Sequence, residues 1–168
     1  PEKCIEPHRN IAKKHGADIH THEGVQGWEI LGDGRVQVTT DRATYSAEKL
    51  VICGGAWAAK LIPELYQKAV PERQVLIWLE TKIPDWFTPS NFPVWNAEVE
   101  EGRYYGFPEF NPTGSTPGMK FGRWRHRHEV CDPDTLDRSI FYPEDEALLR
   151  QFGEKYFPDG AGKTLLMK

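Results

Sequence analysis

Gly102-Arg-Tyr-Tyr-Gly-Phe-Pro-Glu-Phe110, followed by Gly118-Met-Lys-Phe-Gly-Arg-Trp124, decides how the C-terminal half of this chain folds. Both runs have the aromatic and glycine content of β-strands. The residues between them, Asn111-Pro-Thr-Gly-Ser-Thr-Pro117, have the composition of a turn. We therefore expect the two strands to pair as a hairpin.

Alternation along these strands distributes their side chains between two faces of a sheet. Lys120 lies between Met119 and Phe121, so its side chain should leave the strand on the face opposite to theirs. Tyr104 and Tyr105 should also point to opposite faces, so at most one of them faces a ligand. Lys120 could instead lie on the solvated face of an amphipathic strand without any functional role. Tyr104 could likewise pack in the core with its hydroxyl satisfied.

The sequence pattern of the N-terminal half predicts an amphipathic helix followed by a β meander. Apolar side chains recur at helical spacing over residues 4–12, with Pro7 inside the pattern and Gly16 placed as a stop. Alternating runs separated by tight connections follow at residues 17–22, 25–31, 35–40 and 43–46.

The run Leu50-Val-Ile-Cys53 has no alternation and predicts a strand buried on both faces. It leads through Gly54 and Gly55 into a predicted helix from about residue 56 to residue 67. Small residues at such a junction let backbone amides approach a phosphate. The alternative is a plain strand-to-helix turn, because no Gly-x-Gly-x-x-Gly accompanies the junction.

Aromatic-rich strands predominate beyond Pro71, at residues 73–81, 92–96, 103–108 and 119–125. Tyr142-Pro-Glu-Asp145 opens a final helix, since proline suits a first helical turn and acids suit the positive end of the helix dipole. The change of composition predicts a domain boundary, which we set between residues 1–64 and residues 65–168.

Composition excludes several classes of protein. A chain of 168 residues with 39% hydrophobic content can bury a core. The formal net charge of −4 argues against a nucleic-acid surface. No apolar run approaches the roughly 18 residues that a membrane span needs. The three scattered cysteines indicate neither a disulfide framework nor a zinc ribbon and favour the cytoplasm.

Two histidine pairs, His20 with His22 and His126 with His128, have the period-two spacing that could place two imidazoles on one strand face. No carboxylate or cysteine lies at a helpful spacing from either pair. We therefore predict surface histidines and no metal site.

Five features keep one order that resembles the flavoenzyme family of monomeric sarcosine oxidase and N-methyltryptophan oxidase: Ala47 to Leu61, Tyr104-Tyr-Gly-Phe-Pro108, Lys120-Phe-Gly122, Asp132-Pro-Asp-Thr135 and Tyr142-Pro-Glu-Asp-Glu146. The resemblance implies an α/β (α+β) fold and an internal fragment of an enzyme. Residues 1–64 would be part of an FAD-binding domain without its Gly-x-Gly-x-x-Gly unit. Residues 65–168 would be an incomplete substrate domain, a mixed, largely antiparallel sheet with flanking helices.

The same resemblance implies oxidation of sarcosine or another N-methyl amino acid by O2, giving the amino acid, formaldehyde and H2O2. FAD would serve the full-length protein and bind weakly or not at all to this fragment. The implied catalytic residues are Lys120, which lies over the flavin and serves oxygen activation, Tyr105 on the substrate side, and His126. The implied cofactor-binding residues are Val25, Gly54, Gly55, Ala56 and Trp57.

One position departs from the pattern of that family. A histidine usually follows the Lys-x-Gly unit by about two residues, and Trp124 stands there in this chain. Either His126 takes over through a local bulge, or the site lacks the imidazole and accepts a different substrate. Trp124 could then line an amine pocket through cation–π contact.

Two other functions stay open at this point. The chain could be a self-standing binding or oligomerisation module that self-associates through exposed strand edges. It could also be a relative that acts on D-amino acids or glycine. The identity of the amine, the flavin linkage and the oligomeric state are not fixed by the sequence.

Overall fold

A computed structural model describes residues 2–110 and 116–168. The chain divides into two compact units, Pro1–Lys68 and Ala69–Lys168, called here the N-terminal and C-terminal units. The sequence placed the boundary after residue 64. The assignment of the two parts to an FAD-binding and a substrate domain stays a prediction.

The N-terminal unit contains the predicted helix and three strands of the predicted meander. Helix α1 covers Glu2–Lys14 with Pro7 in its interior, and Gly16 follows it at a φ of +87° that favours glycine. Antiparallel pairing in the order β1-β2-β3 confirms the meander, whose strands are Val25–Ile30, Val36–Thr40 and Thr44–Ala47. The strand predicted over residues 17–22 was wrong, since these residues form no strand.

The buried strand predicted over residues 50–53 was also wrong. These residues form no strand, and Val51 is 83% exposed. An apolar run becomes a buried strand only where neighbouring strands pair with it and cover it, and the described residues of the N-terminal unit supply none.

The helix predicted from residue 56 to residue 67 is broken into short pieces. A single 3-10 turn, Gly55–Trp57, leads into the four-residue helix α2, Ala58–Leu61, and a second 3-10 turn follows at Pro63–Leu65. The break lies at Ile62, whose backbone is extended with φ −128° and ψ 96°. The ring of a following proline disfavours the α region for the residue before it, so Pro63 ends the helix.

The C-terminal unit is a five-stranded sheet crossed by one long helix. The strands are β4 Leu76–Leu79, β5 Trp95–Val99, β6 Gly102–Phe107, β7 Met119–Arg123 and β8 Thr164–Met167, in the spatial order β5-β6-β7-β4-β8. Helix α3 covers Pro143–Tyr156, with Pro143 in its first turn as predicted. Every pairing between these strands in the described residues is antiparallel.

These observations confirm the fold class and the hairpin. Strands β6 and β7 pair directly, although residues 111–115 of the predicted turn lie outside the described residues. The two edges of the sheet are β5 and β8, and self-association through them stays a prediction. Among the described residues, no helix is long and apolar enough to cross a membrane.

Helix α3 covers one face of the five-stranded sheet, called here the helix face. Leu149 and Phe152 of the helix are buried with Ile77 and Phe121 of the sheet. Tyr104 stacks on Phe152 with ring centroids 3.8 Å apart, so it is a core residue. Each such side chain contributes about 1.5–3 kcal/mol by leaving water. The opposite face of the sheet, called here the open face, carries the candidate site.

Candidate functional site

Lys120 lies on the open face, as alternation predicts. Its neighbours Met119 and Phe121 are both fully buried on the helix face. Lys120 is the cross-strand partner of Trp78 on one side and of Phe107 on the other, and such partners share a face. The Lys120 ammonium lies 4.7 Å from the Trp78 ring centroid and 5.5 Å from that of Phe107. Both distances allow cation–π attraction.

Tyr105 lies on the same face as Lys120, opposite Gly122 of β7. A Cβ added at Gly122 would lie 3.1 Å from the Tyr105 hydroxyl oxygen and 2.7 Å from Cδ2 of Leu76. The missing side chain therefore makes the room that the phenol occupies. Burial raises the pKa of Tyr105, so its hydroxyl stays protonated and able to donate a hydrogen bond at neutral pH.

A cleft of about 560 Å³ lies beside Tyr105, and we call it the Trp124 cleft. Its lining residues are Val70, Glu72, Gln74, Tyr105, Trp124 and Arg125. Trp124 continues the period-two series of Lys120 and Gly122 along β7 and stays 56% exposed. The cleft and the lysine therefore belong to the same side of the sheet.

His126 lies elsewhere. It is fully buried, so the prediction of a surface histidine was wrong here, and its Nε2 lies 3.0 Å from Oδ1 of Asp145 in the first turn of α3. Burial lowers the pKa of His126 and outweighs the opposing effect of Asp145, so the ring is neutral at pH 7. The structure brings Lys120 and Tyr105 together but does not bring His126 to them. A catalytic role for His126 stays a prediction.

The conformation of Arg125 explains this placement. Its φ of +54° is in the left-handed region, which interrupts strand alternation directly after Trp124. The chain then turns, and His126 packs against α3 instead of continuing the open face. A positive φ at arginine has no recognisable sequence signal, so the sequence could not predict the turn.

Asp145 is the centre of a buried charge cluster that the sequence analysis missed. Its two oxygens accept hydrogen bonds from the Arg73 guanidinium at 2.9 and 2.7 Å. Arg127 lies 3.4 Å from Oδ1, and the backbone N–H of Tyr142 donates to Oδ2 at 2.9 Å. Burial alone would raise the pKa of Asp145, but hydrogen bonds from Arg73, Tyr142 and His126 outweigh it and lower the pKa. The only feature of the sequence that singled out Asp145 was its position in the first turn of a predicted helix, and this did not indicate a buried cluster.

The predicted cofactor-binding residues all lie in the N-terminal unit. Val25 opens β1 and is 46% exposed. Gly54 precedes the 3-10 turn Gly55–Trp57, in which the N–H of Trp57 donates to the Gly54 carbonyl at 2.8 Å. Gly55 has a φ of +51°, which explains a glycine there. The contact of these residues with a flavin nucleotide stays a prediction.

The described residues include no group of three or more histidine, cysteine or acidic side chains that could hold a metal ion. The two ring nitrogens of His20 instead lie within hydrogen-bonding distance of two carboxylates, at 2.8 Å from Glu23 and 3.1 Å from Asp18. Glu23 also accepts from Thr40 and Tyr45. This network joins the loop before β1 to the ends of β2 and β3.

Comparison with known proteins connects this geometry with a family. The family described as FAD dependent oxidoreductase matches residues 3–166. The monomeric sarcosine oxidase of Bacillus sp. (strain NS-129) is 38% identical over 96% of this chain and 41% of its own length. That of Streptomyces avermitilis is 37% identical over 98% of this chain and 42% of its own length. The chain thus spans about two-fifths of the curated sarcosine oxidases that it matches.

Two further proteins are more distant. An N-methyl-L-tryptophan oxidase of Escherichia coli is 34% identical over 47% of this chain and 21% of its own length. The solved structure of NikD, an unusual amino acid oxidase essential for nikkomycin biosynthesis, superimposes with a TM-score of 0.64. That match covers 94% of this chain and 40% of NikD at 21% identity, so it shows the fold alone.

Proposed function

Because this chain belongs to the FAD dependent oxidoreductase family, we propose that it forms part of an oxidase acting on a small secondary amine, with sarcosine or another N-methyl amino acid as substrate. The amine, O2 and water would yield the amino acid, formaldehyde and H2O2. The observation that carries the proposal is the Lys120 ammonium, held between two aromatic rings on the same face as Tyr105. Identity to sarcosine oxidases over nearly the whole chain supports the substrate class.

The open face suits a flat ring system such as the isoalloxazine of FAD. Strand β7 presents Lys120 and then Gly122, whose lack of a side chain lets the Tyr105 phenol lie close against the sheet. Trp78 and Phe107 add aromatic surface on both sides of the lysine. Together these residues offer a flat apolar area with one fixed positive charge and one hydroxyl donor.

FAD, when bound, supplies the electron-accepting chemistry that no side chain of this chain provides. Lys120 would hold a positive charge where dioxygen gains negative charge during its reduction. At about 4 Å and an effective dielectric near 20, that attraction is worth on the order of 4 kcal/mol. Such a stabilisation corresponds to roughly a thousandfold in rate.

Tyr105 would face the amine. Its raised pKa keeps the phenol neutral, so it can donate a hydrogen bond to a substrate carboxylate or accept one from a protonated amine. Val25 and residues 54–57 of the N-terminal unit would contact the nucleotide part of FAD. His126 lies apart from these two residues, because its Nε2 is hydrogen-bonded to buried Asp145, and its catalytic role stays a prediction.

The test is anaerobic reduction of the complete gene product. The purified protein should carry a flavin spectrum that bleaches on addition of sarcosine or N-methyl amino acids, and admission of air should restore it with release of H2O2. The isolated 168-residue chain should bind FAD weakly and not turn over. A complete protein whose flavin is reduced by no secondary amine would overturn the proposal.

A further inference from the structure

Trp124 lines the cleft and also lies on the open face of the sheet, the face that carries Lys120. The backbone N–H of Trp124 donates to the Arg103 carbonyl at 2.9 Å, which prolongs the pairing of β6 and β7 by one step. Its indole therefore follows Lys120 and Gly122 on the open face. Tyr105 contributes to both the face and the cleft, so a ligand held at Tyr105 has the cleft directly beside it.

The indole is held by two arginines that are themselves anchored. The guanidinium carbons of Arg103 and Arg125 each lie 5.6 Å from the indole centroid. Arg103 pairs with Glu98 and Arg125 pairs with Glu72, each at 2.9 Å. These contacts fix the aromatic ring while 56% of the residue stays exposed. A fixed, exposed aromatic surface is the kind that flat ligands use.

Glu72, Arg125 and Gln74 of the cleft are already engaged with other groups of the protein. Both oxygens of Glu72 lie within 3.4 Å of the Arg125 guanidinium. The Gln74 amide donates to the Arg73 carbonyl at 3.1 Å and accepts from the His126 N–H at 3.4 Å. The surface left for a ligand is therefore the indole, the Tyr105 ring and Val70. The charges of Glu72 and Arg125 neutralise each other, so an uncharged flat substituent would gain apolar contact in the cleft while the Tyr105 hydroxyl stays available to the polar part of the substrate.

We propose that the Trp124 cleft receives the side chain of the amino acid substrate, and that Trp124 makes the enzyme prefer N-methyl amino acids with an aromatic side chain over sarcosine. This inference rests on the proposed function and names the substrate class within it. Sarcosine has only hydrogen at the position that would enter the cleft, so it gains nothing from the indole. An aromatic ring stacked on Trp124 gains both buried area and stacking energy.

The experiment compares Trp124→Leu, Trp124→Phe and the unaltered full-length protein. The ratio of kcat/KM for N-methyl-L-phenylalanine to that for sarcosine should fall about tenfold in Trp124→Leu and stay within about threefold in Trp124→Phe. The matched control is Trp86→Leu, because Trp86 is also exposed in the C-terminal unit but lines another groove. Its ratio should not change.

Calorimetry with 3-phenylpropionate, an aromatic acid without an oxidisable amine, gives a second measurement that needs no turnover. Its Kd should rise about tenfold in Trp124→Leu and stay unchanged in Trp86→Leu. An unaltered Kd in Trp124→Leu, or equal losses of kcat/KM for both amines, would overturn the inference. If no amine reduces the flavin, the proposed function fails, whereas the calorimetry still decides whether the cleft binds aromatic groups.

Discussion

The ammonium of Lys120 lies 4.7 Å from the ring centroid of Trp78, its cross-strand neighbour. Phe107 approaches the same ammonium at 5.5 Å from the other side. Cation–π attraction of this kind contributes about 0.5–2 kcal/mol, depending on how far the charge is withdrawn from water. The two rings therefore hold the lysine over the sheet, where it can act on a bound group.

Removing the charge of Lys120 should slow the reaction of the reduced flavin with oxygen more than it slows the oxidation of the amine. In the complete enzyme, Lys120→Met should slow flavin reoxidation by roughly a thousandfold while amine oxidation changes much less. Stopped-flow traces of the two half-reactions measure this. Lys120→Arg is the control, since it keeps the charge and should retain much of the rate. Equal slowing of both half-reactions would count against the assigned role.

Gly122→Ala tests the packing beneath Tyr105. The added Cβ would lie 2.7 Å from Leu76 Cδ2 and 3.2 Å from the Val75 carbonyl oxygen, so neighbouring atoms must move. Overpacking of this kind costs about 1–3 kcal/mol. Urea unfolding should show that loss, together with a raised KM for the amine as the phenol is displaced. Gly32→Ala, where no atom lies within 4 Å of the new Cβ, should change neither quantity.

Asp145→Asn should destabilise the C-terminal unit strongly. The substitution removes the charge that faces the Arg73 guanidinium, which is only 9% exposed, and leaves Glu129 at 3.3 Å as its remaining carboxylate partner. Breaking one side of a buried ion pair costs about 3–5 kcal/mol. Chemical denaturation measures the change. Glu154→Gln, which removes an exposed partner of Arg150 on the same helix, should cost less than about 0.5 kcal/mol. Similar losses in both variants would contradict the prediction.

The hydrogen bonds that join His20, Glu23, Thr40 and Tyr45 should make the stability of the N-terminal unit fall at both low and high pH. Hydrogen bonds from Thr40, Tyr45 and His20 lower the pKa of Glu23 from 4.5 to about 2. Its contribution is therefore complete above pH 4.5 and is lost as the pH falls towards 2. Hydrogen bonds to Asp18 and Glu23 raise the pKa of His20 above 6.5. Its contribution is complete below pH 6.5 and is lost as the pH rises through the raised value.

Thermal unfolding followed across pH should therefore show a maximum for this unit between about pH 4.5 and pH 6.5. Glu23→Gln should flatten the acid side of the profile, and His20→Gln should flatten the alkaline side. If both variants keep the acid and the alkaline slope of the stability profile, groups other than Glu23 and His20 cause the pH dependence.

Features with a local pattern could be predicted from the sequence. The alternation around Lys120 placed it opposite Met119 and Phe121, and the proline and acids after Tyr142 placed the start of α3. Both patterns depend only on neighbouring residues. The likeness of the chain to a family of flavoenzymes was also visible, because five motifs keep one order.

Features that depend on distant partners could not be predicted. Residues 50–53 have the composition of a buried strand, but burial needs strands beside them. Asp145 and Arg73 are 72 residues apart in sequence, and no periodicity connects them. The position of His126 depends on the left-handed backbone of Arg125, a conformation that the residue type does not indicate.

Strand β4 lies between β7 and β8 in the sheet, although it precedes both in the chain. During synthesis on the ribosome, Leu76–Leu79 must therefore wait some 40 residues for their first partner and more than 80 for their second. Until Thr164–Met167 leaves the exit tunnel, one backbone edge of β4 stays without hydrogen bonds from β8. Nascent chains stalled before that point should therefore present this unpaired edge to chaperones and proteases.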